Sequence, residues 1–336
     1  MLAPQRPVAE VIRLTIYPSP TLYAMTQMLN ALQTAAHLPW AGLVDEIALL
    51  LQDPSVHIPP RLVQPLGHGA SLFVMPAIDS HTAITKLITF TPANAGTTRP
   101  TIQGDVIVFD IATGERRLVL DGPTVTARRT AAVSVLAAKT LAHDTQGPLL
   151  IVGAGVQGRA HLEAFAAVLG TRQVLIASRS AQSANQLVQH AISLGLQAQV
   201  AADADAALTS CTLTVTCTPA SSIVLSGTPR SDAFIAGVGA FTPSMAELSP
   251  RLCQHMAKHG TVWLDTADAR HEAGDLLQAG LNMHGMPTLA DVVRHNTDKP
   301  TGPVLFKSCG WAGWDLAAAR LALRTISTND AALSEN

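Results

Sequence analysis

The sequence predicts an α/β protein in which a Rossmann-type dinucleotide-binding domain is joined to an α+β domain, and three observations predict it. The stretch Leu149 to Ser180, LLIVGAGVQGRAHLEAFAAVLGTRQVLIASRS, runs apolar strand, G-x-G-x-x-G turn, helix and second strand in that order. Beyond it, short apolar strands keep alternating with helical stretches as far as Leu264, the pattern of a doubly wound sheet. Between Ile58 and Asp121 the strands instead follow one another across turns, the pattern of an antiparallel sheet. A chain of 336 residues is long enough for two cores. The expected division is residues 1–127 with 306–336 in one domain and 128–305 in the dinucleotide domain.

Composition narrows the function class. Only 14% of residues are charged, 48% are hydrophobic and the formal net charge is −2. That balance argues against a nucleic-acid or membrane-surface partner and for a buried subunit interface. No apolar run reaches the roughly 18 residues of a membrane span, and the first residues, MLAPQRPVAE, lack the apolar core of a signal peptide, so a cytoplasmic protein is expected. Cys211, Cys217, Cys253 and Cys309 have neither metal-ligand nor disulfide spacing and read as reduced packing residues. His161 and Glu163 mimic the H-x-E of zinc deaminases, but no P-C-x-x-C follows, and no metal is expected.

In chain order, Val8 to Ile16 reads as a strand, Pro18 and Pro20 as a turn, and Thr21 to Ala36 and Gly42 to Leu51 as helices. Leu22, Met25, Leu29 and Leu32, then Leu43, Ile47 and Leu50, recur at helical spacing. Strands follow at Pro60 to Val63, Ser71 to Pro76 and Ala83 to Phe90. Arg61 opens the first of these. Lys86 lies inside the run Thr82 to Phe90, where a cation must either be buried beside an anionic partner or substrate, or point to solvent from an edge strand. Val106 to Leu120 reads as a hairpin turning through Ala112 to Gly114. The helix after it, Thr124 to Lys139, has Thr124 or Thr126 as its cap, which places Arg129 in the first turn. A cation is disfavoured there unless an anion shares the site, so Arg129 is a candidate carboxylate clamp.

In the central turn the glycines have separate tasks. Gly153 makes the tight bend, Gly155 lets backbone N–H groups approach a pyrophosphate, and Gly158 lets the helix close on its strand. Where chains specific for NAD carry an acidic residue to hold the ribose 2′-OH, this one has Ser178, Arg179 and Ser180. Two hydroxyls and a guanidinium suit a 2′-phosphate, so NADPH is expected, with NADH the weaker ligand; a solvated arginine at a strand end is the alternative. Later strands are expected at Gln197 to Val200, Leu213 to Cys217, Phe234 to Val238 and Val262 to Leu264. Ligands sit beyond the carboxyl ends of such strands, which selects Thr216 to Pro219, with Cys217 and Thr218, and Gly237 to Ala240, with Gly239, as neighbours of the nicotinamide. Asp203 and Asp205 read as a solvated face. Pro303 to Ser308 looks extended and Trp311 to Thr325 helical, returning the chain to the first domain.

Several motifs together resemble the ornithine cyclodeaminase and mu-crystallin family: the Arg61 strand, Met75-Pro76, Lys86 with Pro92-Ala-Asn94, Asp121-Gly122, Arg129-Thr-Ala-Ala132, Gly153-Ala-Gly-Val-Gln157, Gly237-Val-Gly239 and Lys307-Ser-Cys-Gly310. The resemblance spans nearly the whole chain in order. It implies a homodimer whose substrate-binding and dimerisation domain combines the N-terminal half with the C-terminal helix. It carries the family's substrate-binding arginines onto Arg61 and Arg129 and its active-site lysine onto Lys86. Thr101, Val156, Gln157 and Ser308 match positions that touch ligand or cofactor, and Ser178 stands where NAD-using members have Asp.

One departure separates activities within that resemblance. Ornithine cyclodeaminases carry an Asp that handles the protons of the substrate amine, whereas here Gly239-Ala240 is followed by Phe241, which exchanges no protons. The resemblance then implies a reductase of cyclic ketimines, acting on Δ1-pyrroline-2-carboxylate to give L-proline and on Δ1-piperideine-2-carboxylate to give L-pipecolate. In that reading Arg129 and Arg61 grip the carboxylate, Phe241 closes the pocket, and Lys86 is either the proton donor or a third carboxylate contact. An ornithine-deaminating lyase, a reductive aminase of the alanine dehydrogenase kind and an NADPH-binding protein without turnover are the alternatives.

Overall fold

The computed structural model describes residues 26–334 apart from 95–96, 220–221 and 296–297. The strand expected at Val8 to Ile16, the turn at Pro18 and Pro20, and Leu22 and Met25 lie outside them. Two sheets and a helix buried between them organise the rest.

The first sheet is built from β1 (Gln27–Leu29), β2 (Leu62–Gly67), β3 (Ala70–Ile78), β4 (Thr82–Phe90), β5 (Ile102–Asp110) and β6 (Arg116–Asp121), in the order β1-β6-β5-β4-β3-β2. Its strands are antiparallel except for β1, which pairs parallel with β6. The helix expected over Thr21 to Ala36 is therefore corrected. Its apolar spacing straddles strand β1 and a six-residue helix, α1 (Ala31–Ala36), opened by a capping box between Asn30 and Gln33. Edge pairing with β6 outweighs helical propensity over so short a run, and Leu32 faces solvent. Helix α2 (Trp40–Gln52) buries Leu43, Ile47 and Leu50 as their spacing requires.

Helix α3 (Gly122–Leu141) is buried on nearly all sides. Its run of Ala, Val, Ser and Thr lets it lie in contact with α2, β5 and elements of the second sheet at once. The expected cap is also corrected. Asp121, not Thr124 or Thr126, opens the helix, its Oδ1 accepting the Thr124 N–H at 2.8 Å. Arg129 therefore sits two turns in, beyond the reach of the helix dipole, and a different anion must hold it.

The second sheet is wholly parallel, in the order β12-β13-β11-β10-β7-β8-β9. Its strands are β7 (Leu149–Val152), β8 (Gln173–Ala177), β9 (Gln197–Val200), β10 (Leu213–Thr216), β11 (Phe234–Gly237), β12 (Thr261–Leu264) and β13 (Val304–Lys307). Helices α4 (Val156–Ala164), α5 (Ala181–Ser193), α6 (Ala204–Leu208), α7 (Pro250–His259), α8 (Ala269–Glu272), α9 (Gly274–Gln278) and α10 (Leu289–His295) link them. The order reverses between β7 and β10, where crossovers leave in opposite directions and a crevice opens. The late strand β13 enters between β11 and β12, with Lys307 level with Gly237 and Leu264. Its following loop, Ser308 to Gly310, thus emerges at the same edge as the loops after β7, β10 and β11. Helix α11 (Ala312–Ser334) then runs back against β3, β4, α2 and α3, as its sequence position led us to expect.

Candidate active site

A cavity of about 230 Å³ opens between the first sheet and the carboxyl edge of the second. Strand β4 supplies Lys86. Residues 82, 84, 86 and 88 alternate inward, and β4 is flanked by β3 and β5, so the edge-strand alternative for Lys86 is excluded and its side chain is buried. Helix α3 supplies Thr126, Arg129 and Thr130, whose spacing puts them on one face. Gln157 and, from the loops after β10, β11 and β13, Cys217, Thr218, Gly239, Phe241 and Ser308 close the dinucleotide side. Arg61, just ahead of β2, completes the rim. Nine residues singled out from the sequence thus meet around one cavity. Its remaining wall, including Phe73, Met75, Ile88, Phe90 and Ile102, is apolar.

The other candidates lie nearby without lining it. Gly153, Gly155, Val156 and Gly158 form the turn from β7 into α4, beside Gln157. Gly153 has φ +116°, a conformation reserved for glycine, and a Cβ on Gly158 would stand 2.0 Å from the Gly153 carbonyl oxygen. Val156 is exposed in the first turn of α4. Ser178 and Arg179 stand one strand over at the end of β8, Ser178 half-buried and Arg179 exposed, while the Ser180 hydroxyl accepts the Ser183 N–H and caps α5. Thr101 precedes β5, and its carbonyl accepts the Thr91 N–H at 2.8 Å; its neighbour Ile102 reaches the cavity instead.

The cations of the cavity meet carboxylates from distant elements. Asp315, from the first turn of α11 and fully buried, places Oδ2 2.8 Å from Lys86 Nζ and Oδ1 3.3 Å from Arg129 Nε. Both contacts are ion pairs rather than aligned hydrogen bonds, since Arg129 Nε and both Asp315 oxygens lack a well-directed partner. Arg61 pairs with Glu272, at the end of α8. Asp315 and Glu272 are the carboxylates in direct contact with the three cations, and Asp265 lies buried behind the loop Ser308 to Gly310, close enough to raise Glu272. Burial brings the Lys86 ammonium down to about 8, with Arg129 and Arg61 pushing the same way and Asp315 opposing them. Burial likewise lifts the Glu272 carboxyl above its ordinary range, against the pull of Arg61.

Two further buried carboxylates hold the dinucleotide-side loops in place. Glu247 accepts from Thr216 Oγ1 at 2.9 Å, the Thr218 N–H at 2.6 Å and the Gly239 N–H at 2.6 Å, tying the end of β10 to that of β11. Asp265 Oδ2 accepts from Ser308 Oγ at 3.0 Å and from the N–H groups of Cys309 and Gly310 at 2.9 and 2.8 Å. The Cys217 thiol is directed at the Val152 and Gly153 carbonyls at 3.6 and 3.5 Å, and desolvation, with the Glu247 carboxylate, holds it well above the ordinary range. His161 is spent inside the fold, its ring nitrogens on Gln157 O at 2.7 Å and Ser134 Oγ at 3.0 Å, and burial lowers it to about 4.

Sequence reasoning missed Asp315, Glu272, Glu247 and Asp265. A usable signal existed for Asp315: a lone acid in the apolar run WAGWDLAAARLAL, the same kind of anomaly that drew attention to Lys86.

The chain matches the family model described as "Ornithine cyclodeaminase/mu-crystallin family" over residues 25–329. It is 37% identical over 314 residues to Delta(1)-pyrroline-2-carboxylate reductase 1 of Burkholderia multivorans, covering 92% of this chain and 99% of the relative. To the Delta(1)-pyrroline-2-carboxylate/Delta(1)-piperideine-2-carboxylate reductase of Azospirillum brasilense it is 36% identical over 309 residues, or 90% and 96% of the two chains. The solved Delta(1)-pyrroline-2-carboxylate reductase of Thermococcus litoralis, in complex with NADH and L-proline, shares the fold at a TM-score of 0.83, with 22% identity over 90% of this chain and 98% of that one. The chain therefore belongs to the ornithine cyclodeaminase/mu-crystallin family.

Proposed function

We propose that this protein reduces the C=N bond of small cyclic ketimines at the expense of NADPH, converting Δ1-pyrroline-2-carboxylate to L-proline and Δ1-piperideine-2-carboxylate to L-pipecolate. The observation that carries the reading is the pairing, in one small cavity, of an apolar wall with a cluster of three cations, Arg61, Lys86 and Arg129, open toward the loops of a dinucleotide fold. An unsaturated ring bearing a single carboxylate has that complementary character. The names of the Burkholderia and Azospirillum relatives support the reading.

The β7–α4 turn fits a pyrophosphate. A Cβ on Gly155 would meet no atom within 4 Å, no side chain caps α4, and its first N–H groups are left for an anion. Gly153, Gly155, Val156, Gln157 and Gly158 would hold the dinucleotide there, with Cys217, Thr218 and Gly239 beside its nicotinamide and Thr101 bordering it. When bound, a dihydronicotinamide supplies the hydride. Arg129, assisted by Arg61, grips the substrate carboxylate and presents one face of the ring, which supplies much of the rate through orientation. Lys86 holds the proton that the imine nitrogen takes as it gains electrons, and the Asp315 carboxylate keeps that ammonium in place. Phe241 and the apolar wall exclude water, while Ser308, set by Asp265, borders the polar end. Residues 1–127 with 306–336 serve in this reading as the substrate-binding and dimerisation half and 128–305 as the dinucleotide half. Leu62, Val63 and Leu66 on the exposed edge strand β2 offer apolar surface for a homodimer. No helix among the described residues is long and apolar enough to cross a membrane, and we place the reaction in the cytoplasm, where the four free cysteines stay reduced.

NADPH oxidation against a panel tests the function. Both ketimines should be reduced, whereas pyruvate with ammonia, ornithine with NAD, and an imine bearing two carboxylates should not. Release of ammonia from ornithine, or equal turnover of the dicarboxylate, would overturn the reading. The NADPH preference rests on Ser178 and Arg179 at the end of β8. Arg179→Ala is expected to raise the KM for NADPH about tenfold, consistent with loss of one exposed charge-assisted contact, and to leave that for NADH unchanged. Equal effects on both nucleotides would remove Arg179 from 2′-phosphate recognition.

A further inference from the structure

We infer that Asp315 is a positioning residue whose single carboxylate, shared between Lys86 and Arg129, holds the lysine as its ammonium beside the carboxylate clamp. The inference deepens the proposed function, since it rests on Lys86 being the proton donor. Its basis is geometric. Lys86 projects from the middle of β4, beside Met75 on β3 and Val106 on β5, into the core between sheet and helices. The charged groups that face it come from three other elements: Arg129 from α3, Arg61 from the head of β2 with Glu272 beyond it, and Asp315 from α11. Burial and both guanidinium groups drive the proton off the lysine, and Asp315, 2.8 Å from Nζ, is the group that opposes them most strongly.

Asp315 is also costly where it stands. It is fully buried, and its neighbours Trp314, Leu316, Ala317 and Ala318 are apolar and equally buried. Neither of its oxygens has an aligned hydrogen-bond donor. A well-packed apolar side chain would serve packing at least as well, so the carboxylate is to be explained by what its charge does to Lys86 and Arg129. Its two oxygens divide between the two cations, which fixes the spacing between the proton-bearing group and the carboxylate clamp.

The test compares the native enzyme with Asp315→Asn and Asp315→Glu. kcat/KM for Δ1-pyrroline-2-carboxylate at saturating NADPH should fall as pH rises through the range where Lys86 loses its proton, about 8 in the native enzyme. Asp315→Asn should move that fall toward acid by about one pH unit or more, because the charge that favours the ammonium is gone. Activity near pH 8 then drops more than activity near pH 6, and NADPH affinity is unchanged. Asp315→Glu should keep the native pH position, whatever its turnover. Titration of Nζ-labelled lysine by NMR, with Lys86→Met to assign the signal, should show the same acid shift in the unliganded protein. That readout needs no substrate, so failure of the imine assay would strike the proposed function while the lysine titration still decides this inference. Should Asp315→Asn not fold, Asp315→Ser takes its place in both measurements. A Lys86 titration unmoved by loss of the carboxylate, with activity lowered evenly across pH, would overturn the inference and leave Asp315 a packing residue.

Discussion

Lys86→Met is expected to bind NADPH as the native chain does and to lose a factor on the order of 10²–10⁴ in kcat/KM for the cyclic imine, the usual contribution of a positioned proton donor. Methionine keeps most of the buried volume and removes the proton, so the change isolates chemistry from packing. It also removes one of three cations, and the substrate carboxylate should bind more weakly in consequence. Asp315 would still face Arg129 at 3.3 Å, so the buried carboxylate is not stranded and the fold should survive. Stopped-flow measurement of hydride transfer separates the two losses. An unchanged transfer rate with only a raised KM would make Lys86 a carboxylate contact and leave the proton to solvent.

The second large effect is expected in the turn from β7 into α4, where substitution of two glycines only three residues apart should weaken NADPH binding alike but affect stability differently. Gly158→Ala drives a methyl group to 2.0 Å from the Gly153 carbonyl oxygen and 3.3 Å from Ile151 Cγ2, so α4 must lift from β7. Overpacking of that kind costs about 1–3 kcal/mol of stability, and the displaced helix N-terminus should weaken NADPH binding at least about tenfold. Gly155 has φ −90° and ψ −163°, a backbone that alanine adopts freely, and its Cβ would point into open space. Gly155→Ala should therefore hold or slightly raise Tm by restricting the unfolded chain, while the new methyl group would stand in the proposed pyrophosphate site and should cost affinity. Calorimetry and nucleotide fluorescence on the two variants check this. A Gly155→Ala protein that binds NADPH normally would move the phosphate off this turn.

The sequence was most informative where the signal is local. The strand, turn and helix of the β7–α4 unit lie within a short run of residues, and each glycine's task follows from its immediate neighbours. The folded turn bears out the tight bend at Gly153 and the close approach at Gly158. The antiparallel pattern around Lys86 was legible for the same reason, since alternation along one strand is a property of that strand. The helix expected over Thr21 to Ala36 holds over Ala31–Ala36 and gives way to a strand at Gln27–Leu29, because apolar spacing over a few residues fits a short helix and an edge strand alike, and pairing with distant β6 decided between them. The placement of Arg129 failed on a smaller scale. Asp121 and the threonines all cap well, and the chain closes its first turn at the earliest of them.

The sequence by itself determined the two kinds of sheet, the glycine-rich turn after β7, the cations at 61, 86 and 129, and the apolar Phe241 after Gly239-Ala240. Only the tertiary structure decided which anion each cation meets: Arg61 finds Glu272 across 211 residues of chain, and Lys86 and Arg129 share an aspartate from the last helix. Propensity and periodicity act between residues a few positions apart and can be read along the chain. Charge balance in a buried cavity acts through space between elements that the fold alone brings together, and it leaves no periodic trace in the sequence.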